Sequence, residues 1–435
     1  MTADRRQFLR QAGVILAGST FAATRSRAAG ANERVIFGVI GPGGHGSGLL
    51  KSFAAQKDVE VAYVCDVDAN RLSAAAEAVQ KATGKAPRAE KDMRRVLDDR
   101  AVDAVVIATP DHWHAPAMIL ACEAGKHVYV EKPCAHNIRE GRLMVEAARR
   151  NNRVVQVGTQ TRSVEHVRRA VDLLHGGAIG DILVAKVWNS QLRRNIGHAK
   201  PSDPPASLDF DLWVGPAPIV PYQSNLLPSI WRWWYAFGTG DIGNDGVHDL
   251  DVGRWGLGVQ THPSTVAALG GKYFFDDDQQ FPDTQTVIFE YPGEGARGKR
   301  QLIYEQRIWA PYVQEGHENG NAFYGTKGMM LLGKHSGWQI FGPRNEPGEK
   351  MVAQLASEPH HRNFIECIKS GQRPNADIEI GHLSATLAHL GNIATRVGRV
   401  LHFDPSTEQI TGDEEANRLV RRTYREGHWA VPNGV

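Results

Sequence analysis

The chain has 435 residues and a mass of 47.8 kDa, more than one hydrophobic core usually organises, so two domains are expected. Its content of 42% hydrophobic and 23% charged residues excludes a mostly disordered or fibrous chain. The formal charge of +2 is too small to indicate a nucleic-acid partner, and none is expected.

The N-terminus is typical of a twin-arginine export signal. Arg5 and Arg6 precede a weakly apolar run at 12–23, which is shorter than the ~20 residues of a membrane-spanning helix. The alternative is an ordinary basic tail or an anchor. We expect residues 1–28 to be a signal peptide that the twin-arginine machinery recognises. Its removal would leave a soluble periplasmic chain of charge −2 with no membrane contact, because residues 1–28 hold five arginines and one aspartate.

The next segment alternates apolar strands with helices. Strands are predicted at 35–40, 61–65, 102–108, 128–130 and 154–157, and helices near 49–53 and at 69–82, 115–124 and 139–150. This alternation requires crossovers and predicts an α/β fold with a doubly wound parallel sheet, a Rossmann domain over 33–158.

Beyond Gly158 the pattern changes to α+β. A helix is predicted at 164–174, a strand at 182–188 and a Pro-rich wrapping segment at 200–228; antiparallel strands follow at 284–291, 300–307, 325–332 and 338–341, then helices at 361–370 and 384–397. We expect residues 159–435 to form a substrate-binding and oligomerisation domain with a large open, mostly antiparallel sheet. Its last helices can pack back on the first domain.

A glycine-rich turn follows the first strand. GPGGHG at 41–46 matches G-x-G-x-x-G, opens a helix and precedes Asp66 by 20 residues. Gly41 allows a tight turn, Gly43 admits a pyrophosphate and Gly46 permits close helix packing. Asp66 would accept hydrogen bonds from ribose hydroxyls and repel a 2′-phosphate, so NAD is predicted rather than NADP. The alternative is a structural loop with an unrelated aspartate.

Two further motifs follow strands that end at the same edge of the sheet. TPDHWHAP at 109–116 and EKP at 131–133 should therefore face one crevice. Lys132 can hold a substrate hydroxyl and stabilise its oxygen as hydride leaves; by itself it would more often be a solvated surface residue. The residues expected to contact the cofactor are Gly41, Gly43, Gly44, His45, Gly46, Asp66, Thr109, Pro110, His112, His114, Glu131, Lys132 and Gln160.

A third constellation lies at 238–255. If the chain is helical from Asn244, then Asn244 and Asp245 lie one turn before His248, and Asp251 lies one turn after it. A carboxylate-oriented imidazole suits a general base, although the histidine can also merely pack. The catalytic residues are predicted to be Lys132, His248, Asp245 and Asn244. The aromatic stretch 231–235 suits either the core or a sugar-stacking wall.

The residues predicted to bind substrate are Arg162, Trp231, Arg232, Tyr235, Asn244 and His248. No metal is expected, because His112 and His114 have no third ligand at a short spacing.

Together these motifs resemble the Gfo/Idh/MocA oxidoreductases. GPGGHG, Asp66, TPDHWH, EKP, GTQTRS at 158–163, DLWVGPAP at 211–218 and the Asn-to-His helix carry the resemblance over nearly the whole mature chain. It implies that Lys132 is catalytic and that the peptide bond before Pro133 is cis. Family members usually have an aspartate four residues before the histidine as a proton relay, and here Asn244 takes that position. Either His248 acts with Lys132 alone, or Asp245 or Asp251 orients it.

The variant motif and the export signal look like the branch of exported proteins that act on glycosides. We therefore expect an exported oxidoreductase with tightly bound NAD that acts on a hydroxyl of a sugar or glycoside. One alternative is a redox-neutral glycosidase resembling glycoside hydrolase family 109, which oxidises, eliminates and reduces back. A second is a non-catalytic periplasmic sugar-binding protein. The resemblance also implies a homo-oligomer, a dimer or a tetramer.

Overall fold

A computed structural model describes residues 34–293, 298–310 and 312–435. The predicted export signal at 1–28 lies outside the described residues.

The first sheet has six parallel strands in the order β3-β2-β1-β4-β5-β6. The strands are β1 Val35–Ile40, β2 Val59–Cys65, β3 Arg88–Glu90, β4 Ala104–Ile107, β5 His127–Val130 and β6 Val155–Val157. The helices between them are α1 His45–Ala54, α2 Ala69–Thr83, α3 Met93–Asp98, α4 Asp111–Glu123 and α5 Ile138–Arg150. This architecture confirms the predicted Rossmann fold.

Burial on both faces explains why the central strands are continuous apolar runs. All four residues of β4 are fully buried, since helices cover both faces of the sheet. The strand order changes direction between β1 and β4, so the loops after these two strands diverge. The crevice that they leave at the carboxyl edge is the usual ligand position in such sheets.

The second sheet has ten strands in the order β14-β13-β12-β11-β7-β10-β9-β8-β15-β16. Among the described strands of this second sheet, only β7 and β10 pair in parallel, which confirms the predicted mostly antiparallel sheet. The strands are β7 Ile182–Ser190, β8 Thr265–Gly271, β9 Thr284–Tyr291, β10 Arg300–Arg307, β11 Asn319–Gly325, β12 Met329–Gly333, β13 Gly337–Phe341, β14 Pro347–Met351, β15 Leu401–Asp404 and β16 Gln409–Ile410.

The strand predicted at 325–332 is wrong in one respect. The chain turns there, and the amide of Gly325 donates to the carbonyl of Gly328 at 2.9 Å. Strand β11 therefore ends at Gly325, and β12 runs back antiparallel beside it. The polar residues Thr326 and Lys327 between two glycines form the turn, a sequence signal that the prediction of one strand overlooked.

Helices cover one face of the second sheet and also reach the first domain. They are α6 Glu165–His175, α7 Phe210–Val214, α8 Val247–Leu257, α9 Glu358–Ser370, α10 Ile378–Val397 and α11 Glu414–Arg418. Leu250 of α8 and Leu387 of α10 are fully buried in the core beneath the sheet. Phe364 of α9 instead packs on Phe37 and Phe53 of the first domain. Across the described residues, the helices are all too short or too polar to span a bilayer.

A buried polar cluster joins the two domains. Oε1 of Glu408 accepts hydrogen bonds from His262 at 2.9 Å, from His382 at 2.8 Å and from Arg142 of α5 at 2.6 Å. Glutamate and histidine are common metal ligands, but the Arg142 guanidinium already matches the carboxylate charge. The cluster therefore acts as an ion-paired link between the domains.

Glu408→Gln is expected to lower the free energy of unfolding by about 3 kcal/mol, because it removes the charge that three donors share in a buried site. Urea unfolding measures the change, and Glu349→Gln, which alters an exposed glutamate, is the control. Equal unfolding midpoints for the two variants would contradict the assigned role of this cluster.

Candidate active site

A cleft of about 690 Å³ lies between the two domains at the carboxyl edge of the first sheet. Of the residues predicted from sequence, it is lined by Gly41, Gly43, Gly44, His45, Asp66, Thr109, Pro110, His114, Glu131, Lys132, Gln160, Trp231, Arg232, Asn244, Asp245 and His248. Most of the predicted cofactor and substrate positions therefore share one continuous space.

The glycine-rich loop fits a dinucleotide. Gly41 has φ +77°, and a side chain on Gly46 would meet the Gly41 carbonyl oxygen. Helix α1 begins at His45 with no side chain capping its first amides, which leaves donors available for phosphate oxygens. The backbone is thus arranged as G-x-G-x-x-G requires.

Asp66 stands at the end of β2 and faces the same cleft. One carboxylate oxygen accepts a hydrogen bond from the Asp68 amide at 3.0 Å, and the rest of the group is open to a ligand. Burial raises the pKa of Asp66 to about 6, which the backbone hydrogen bond only partly offsets. The carboxylate is ionised at neutral pH and can accept ribose hydroxyls.

NAD affinity is expected to fall as the pH drops below about 6, by up to about tenfold per pH unit. The reason is that the ionised Asp66 carboxylate accepts hydrogen bonds from both ribose hydroxyls, and protonation removes that capacity. Calorimetry on cofactor-free protein between pH 5 and 8 measures this dependence. Asp66→Asn should show a flat profile and a weaker preference for NAD over NADP. A flat profile in the wild-type protein would contradict the role of Asp66.

His114 connects two loops beneath the cofactor cleft. Its ring nitrogens lie 2.6 Å from the carbonyl oxygen of Pro133 and 2.9 Å from that of Thr109. His112, which was also expected to contact the cofactor, is fully buried and faces away, 2.9 Å from the Trp213 carbonyl. The physical reason is that α4 begins at Asp111, earlier than predicted, so that successive histidines point in different directions.

Glu131 anchors the EKP triplet. Its Oε1 lies 3.2 Å from Nε2 of His45 and 3.5 Å from the Gln160 amide nitrogen. Although burial raises its pKa, the hydrogen bond with His45 and the charge of Lys132 lower it to about 2. An ionised Glu131 therefore holds the loop beside Lys132, and the Lys132–Pro133 peptide bond is cis, as expected.

Lys132 bridges the two domains. Its ammonium donates to the main-chain carbonyl of Asn244, which belongs to the π-helical turn Ile242–Gly246 before α8. Burial lowers its pKa, while the charges of Glu131 and Asp245 oppose that shift. A desolvated ammonium is thereby aimed at the substrate end of the cleft.

His248 lines the cleft opposite Lys132. Burial, and then the charge of Lys132, lower its pKa to about 3, so the imidazole is neutral and can accept a proton. Asp245 influences His248 through its charge, but its Oδ2 is held by Gln191 at 2.6 Å and Asn319 at 3.1 Å. The side-chain amide of Asn244 donates to Asp241 at 3.0 Å.

The expectation that Asp251 might orient His248 is wrong. Asp251 is fully buried and accepts from Arg162 at 2.7 and 2.8 Å and from Ser384 at 2.6 Å. The prediction of Arg162 as a substrate contact is wrong for the same reason, because this ion pair holds it in the core and the guanidinium stacks on Trp255 at 4.5 Å.

The aromatic stretch divides between the cleft and the core. Trp231 and Arg232 line the cleft, whereas Tyr235 does not. The Tyr235 ring packs on Phe281 at 4.6 Å, and the guanidinium of Arg396 covers it at 4.4 Å. Tyr235 was therefore wrongly assigned to the substrate. Gly46 also lies outside the cleft lining and serves the packing of α1.

Several functional positions were not identified from the sequence. Arg193 contacts Asp241 at 3.0 Å and Asp245 at 3.4 Å, and Lys334 contacts Asp249 at 2.9 Å. Arg193 and Lys334 lie far along the chain from the motifs, so no local spacing in the sequence indicates their contacts. Trp429, near the C-terminus, also reaches the cleft.

Comparisons with known proteins agree with this geometry. The models of an oxidoreductase family match the chain twice, as the NAD-binding Rossmann fold over residues 35–159 and as the C-terminal alpha/beta domain over 187–291 and 324–431. The prediction of NAD as the cofactor is thereby confirmed.

The curated relatives resemble parts of the chain. A glycosyl hydrolase family 109 protein of Saccharopolyspora erythraea is 33% identical over 158 residues, 35% of this chain and 34% of that one. Inositol 2-dehydrogenase 2 of the same organism is 30% identical over 255 residues, 58% of this chain and 62% of that one. The chain therefore matches less than two thirds of the length of these relatives.

Solved structures share the fold. Levoglucosan dehydrogenase in complex with NADH and levoglucosan superposes with a TM-score of 0.66 at 19% identity, covering 85% of this chain and 99% of that one. The WlbA dehydrogenase from Bordetella pertussis, in complex with NADH and UDP-GlcNAcA, gives a TM-score of 0.65 at 20% identity, covering 86% and 99%. The chain belongs to the Gfo/Idh/MocA family of oxidoreductases.

Proposed function

We propose that this protein is an NAD-dependent oxidoreductase that acts on a hydroxyl group of a sugar or glycoside. The observation that carries the proposal is that Lys132 and His248 line the same cleft as the glycine-rich loop and Asp66, with Lys132 close enough for its charge to act on His248. A proton donor and a neutral proton acceptor thus flank the space next to the cofactor site.

The two side chains have separate tasks. Lys132 holds the reacting oxygen by a charged hydrogen bond and stabilises its negative charge. His248 is neutral at physiological pH, so a ring nitrogen is available to accept the hydroxyl proton as hydride leaves. Bound NAD would supply the hydride acceptor. Asn244 contributes its main-chain carbonyl, which positions the Lys132 ammonium.

A panel of sugars and glycosides, followed at once by absorbance at 340 nm and by release of the aglycone, tests this proposal. Net oxidation by the retained cofactor should raise the absorbance by up to one equivalent of NADH per protein, with one equivalent of sugar consumed. Failure of the whole panel to change either signal would count against the proposed activity.

A redox-neutral glycosidase is the second candidate, favoured by relatives described as glycosyl hydrolase family 109 proteins. In that cycle the hydroxyl is oxidised to a ketone, and the acidified neighbouring C–H is lost with the aglycone. Water then adds and hydride returns to the ketone. The panel would then show release of the aglycone with no net rise at 340 nm.

Tight retention of the cofactor belongs to the same proposal, because no soluble NAD pool is expected outside the cytoplasm. The Pro-rich segment 200–228 supports it by binding the first domain directly beyond Asp66. The Ala69 amide donates to the Ser207 carbonyl at 2.9 Å, and the Asp209 amide donates to the Val67 carbonyl at 3.0 Å. We name this segment the strap.

Protein purified without added cofactor is expected to contain close to one equivalent of NAD, because release requires the strap to leave the adenosine side of the cleft. Mass spectrometry of the denatured protein measures the content. The strap variant Asp209→Ala should lower the NAD content, because it removes the carboxylate that pairs with Lys91 and accepts from the Leu212 amide. Cofactor-free wild-type protein with millimolar NAD affinity would contradict retention.

Export to the periplasm by the twin-arginine route is also proposed, on the basis of Arg5 and Arg6. Cell fractionation tests it: replacement of both arginines by lysine should leave the protein in the cytoplasm. Periplasmic recovery of the double variant would contradict this route.

A homo-oligomer, a dimer or a tetramer, is proposed from the open face of the second sheet. This face exposes large apolar side chains, with Leu269 at 80% and Leu183 at 49% exposure. Light scattering should give a mass of two or four chains, and a monomer would contradict the proposal.

A further inference from the structure

Arg232 stands where the main cleft meets a second cavity of about 490 Å³. It belongs to the 3-10 helix Ile230–Trp233, and its side chain lines both spaces, as does that of Arg193. Its charge lowers the pKa of Lys132, which shows that it lies close to the reacting centre. A substrate held by Lys132 in the main cleft shares that space with Arg232.

The guanidinium of Arg232 has no carboxylate partner among the described residues. Its Nε atom is buried there without a hydrogen-bond partner. The neighbouring cations differ, because Arg193 is paired with Asp241 at 3.0 Å and Lys334 with Asp249 at 2.9 Å. Arg232 thus makes no direct ion pair with a described residue, although the more distant carboxylates of Asp241 and Asp111 act on its charge.

An unpaired cation withdrawn from water is unfavourable unless a ligand supplies the anion. Burial lowers the pKa of Arg232, in keeping with this cost. The Trp231 ring lies 5.4 Å from the guanidinium carbon and offers only partial compensation. A bound anion would relieve the cost and so gain affinity at this position.

We propose that the substrate is an acidic sugar whose carboxylate is held by Arg232 while the sugar ring packs on Trp231. This inference rests on the proposed function and names its substrate class. The planar guanidinium fork matches a carboxylate with two parallel hydrogen bonds. The apolar face of a pyranose suits an indole.

The site favours a single carboxylate. Among the described residues, Arg232 makes no salt bridge, whereas two aspartates engage Arg193 and the Asn244 carbonyl engages Lys132. Arg194, which also lines the second cavity, is exposed and keeps its charge in water, so Arg232 is the withdrawn guanidinium that gains from an anion. A uronic acid unit, with one carboxylate on the ring, fits this requirement.

Matched pairs of methyl glycosides test the proposal: glucoside against glucuronide, and galactoside against galacturonide. Within each pair only a CH₂OH group becomes a carboxylate. Calorimetry on the NAD-loaded protein measures affinity, and absorbance at 340 nm measures turnover. At least one acid should bind ten times more tightly than its neutral partner.

Variants assign that preference to Arg232. Arg232→Met should abolish it, and Arg232→Lys, which keeps the charge but loses the fork, should retain part of it. Arg168→Met, on the exposed side of α6, removes an equal charge and should leave the preference intact. Thermal unfolding confirms that each variant folds.

The affinity measurement distinguishes a failure of this inference from a failure of the proposed function. Arg232-dependent binding of an acid without any reduction of NAD would uphold the acidic-sugar site and overturn the oxidoreductase activity. Tighter binding of the neutral sugars, a preference that survives Arg232→Met, or no binding by any acid would each overturn the acidic-sugar site.

Discussion

Replacing Lys132 by Met is expected to lower the rate of NAD reduction by on the order of 10³-fold, because the variant loses the charged donor to the reacting oxygen. The lost group is desolvated, so its hydrogen bond to the developing alkoxide is not weakened by water. Cofactor binding should persist, since the glycine-rich loop and Asp66 remain. Stopped-flow absorbance at 340 nm on the NAD-loaded variant measures the effect.

Lys57→Met is the matched control, because Lys57 is exposed in the same domain. It should keep the wild-type rate. A Lys132→Met protein that retains NAD and reduces it at the wild-type rate would remove Lys132 from the mechanism.

Replacing His248 by Ala is expected to lower the same rate by about 10²- to 10³-fold, because the proton acceptor at the hydroxyl is lost. Asp245→Asn should cost less, since Asp245 makes its hydrogen bonds to Gln191 and Asn319 rather than to the imidazole. His402→Ala, at an exposed histidine, is the control. Equal losses in the His248 and Asp245 variants would instead indicate a relay through the carboxylate.

The pH profile carries independent information about these two groups. With a pKa of about 3, His248 stays neutral throughout the physiological range and should produce no rise in rate between pH 5 and 8. The rate should fall at alkaline pH as Lys132 loses its proton, and at a lower pH than for an exposed lysine, because burial lowers its pKa. A limb near pH 6.5 that disappears in His248→Ala would contradict this assignment.

The first domain could be predicted from the sequence except for strand β3 Arg88–Glu90 and helix α3 Met93–Asp98, which are short. Its strands are buried on both faces, so they appear as continuous apolar runs such as 35–40 and 104–107. The second sheet was predicted less well. Strand Thr265–Gly271 ends in two glycines, and Pro347–Met351 is polar and mostly exposed. The first has only the short apolar run 266–269 and the second has none, so pairing with neighbouring strands defines both.

The site residues also divide into those that local sequence patterns predict and those that depend on tertiary contacts. The glycine-rich loop, Asp66 and Lys132 follow strand ends, so the topology alone brings them to one edge. The partners of Arg162 and Arg193 depend on tertiary contacts with Asp251 and Asp241, which no spacing along the chain reveals. The sequence predicted a continuous helix from Asn244, but a π-helical turn precedes α8. This turn changes the directions in which the side chains of the Asn-to-His motif point.

Transfer of deuterium tests the central claim most directly. The NAD-loaded protein is mixed with an active glycoside deuterated at its ring carbons, and the cofactor is then recovered for mass spectrometry in a single turnover. The proposed mechanism predicts one deuterium on the nicotinamide ring of the wild-type protein. The cofactor of Lys132→Met, treated for the same time, should carry none. The redox-neutral cycle returns the deuteride to the sugar, so reaction of the glycoside with neither deuterium on the cofactor nor a transient rise at 340 nm would contradict hydride transfer at this site.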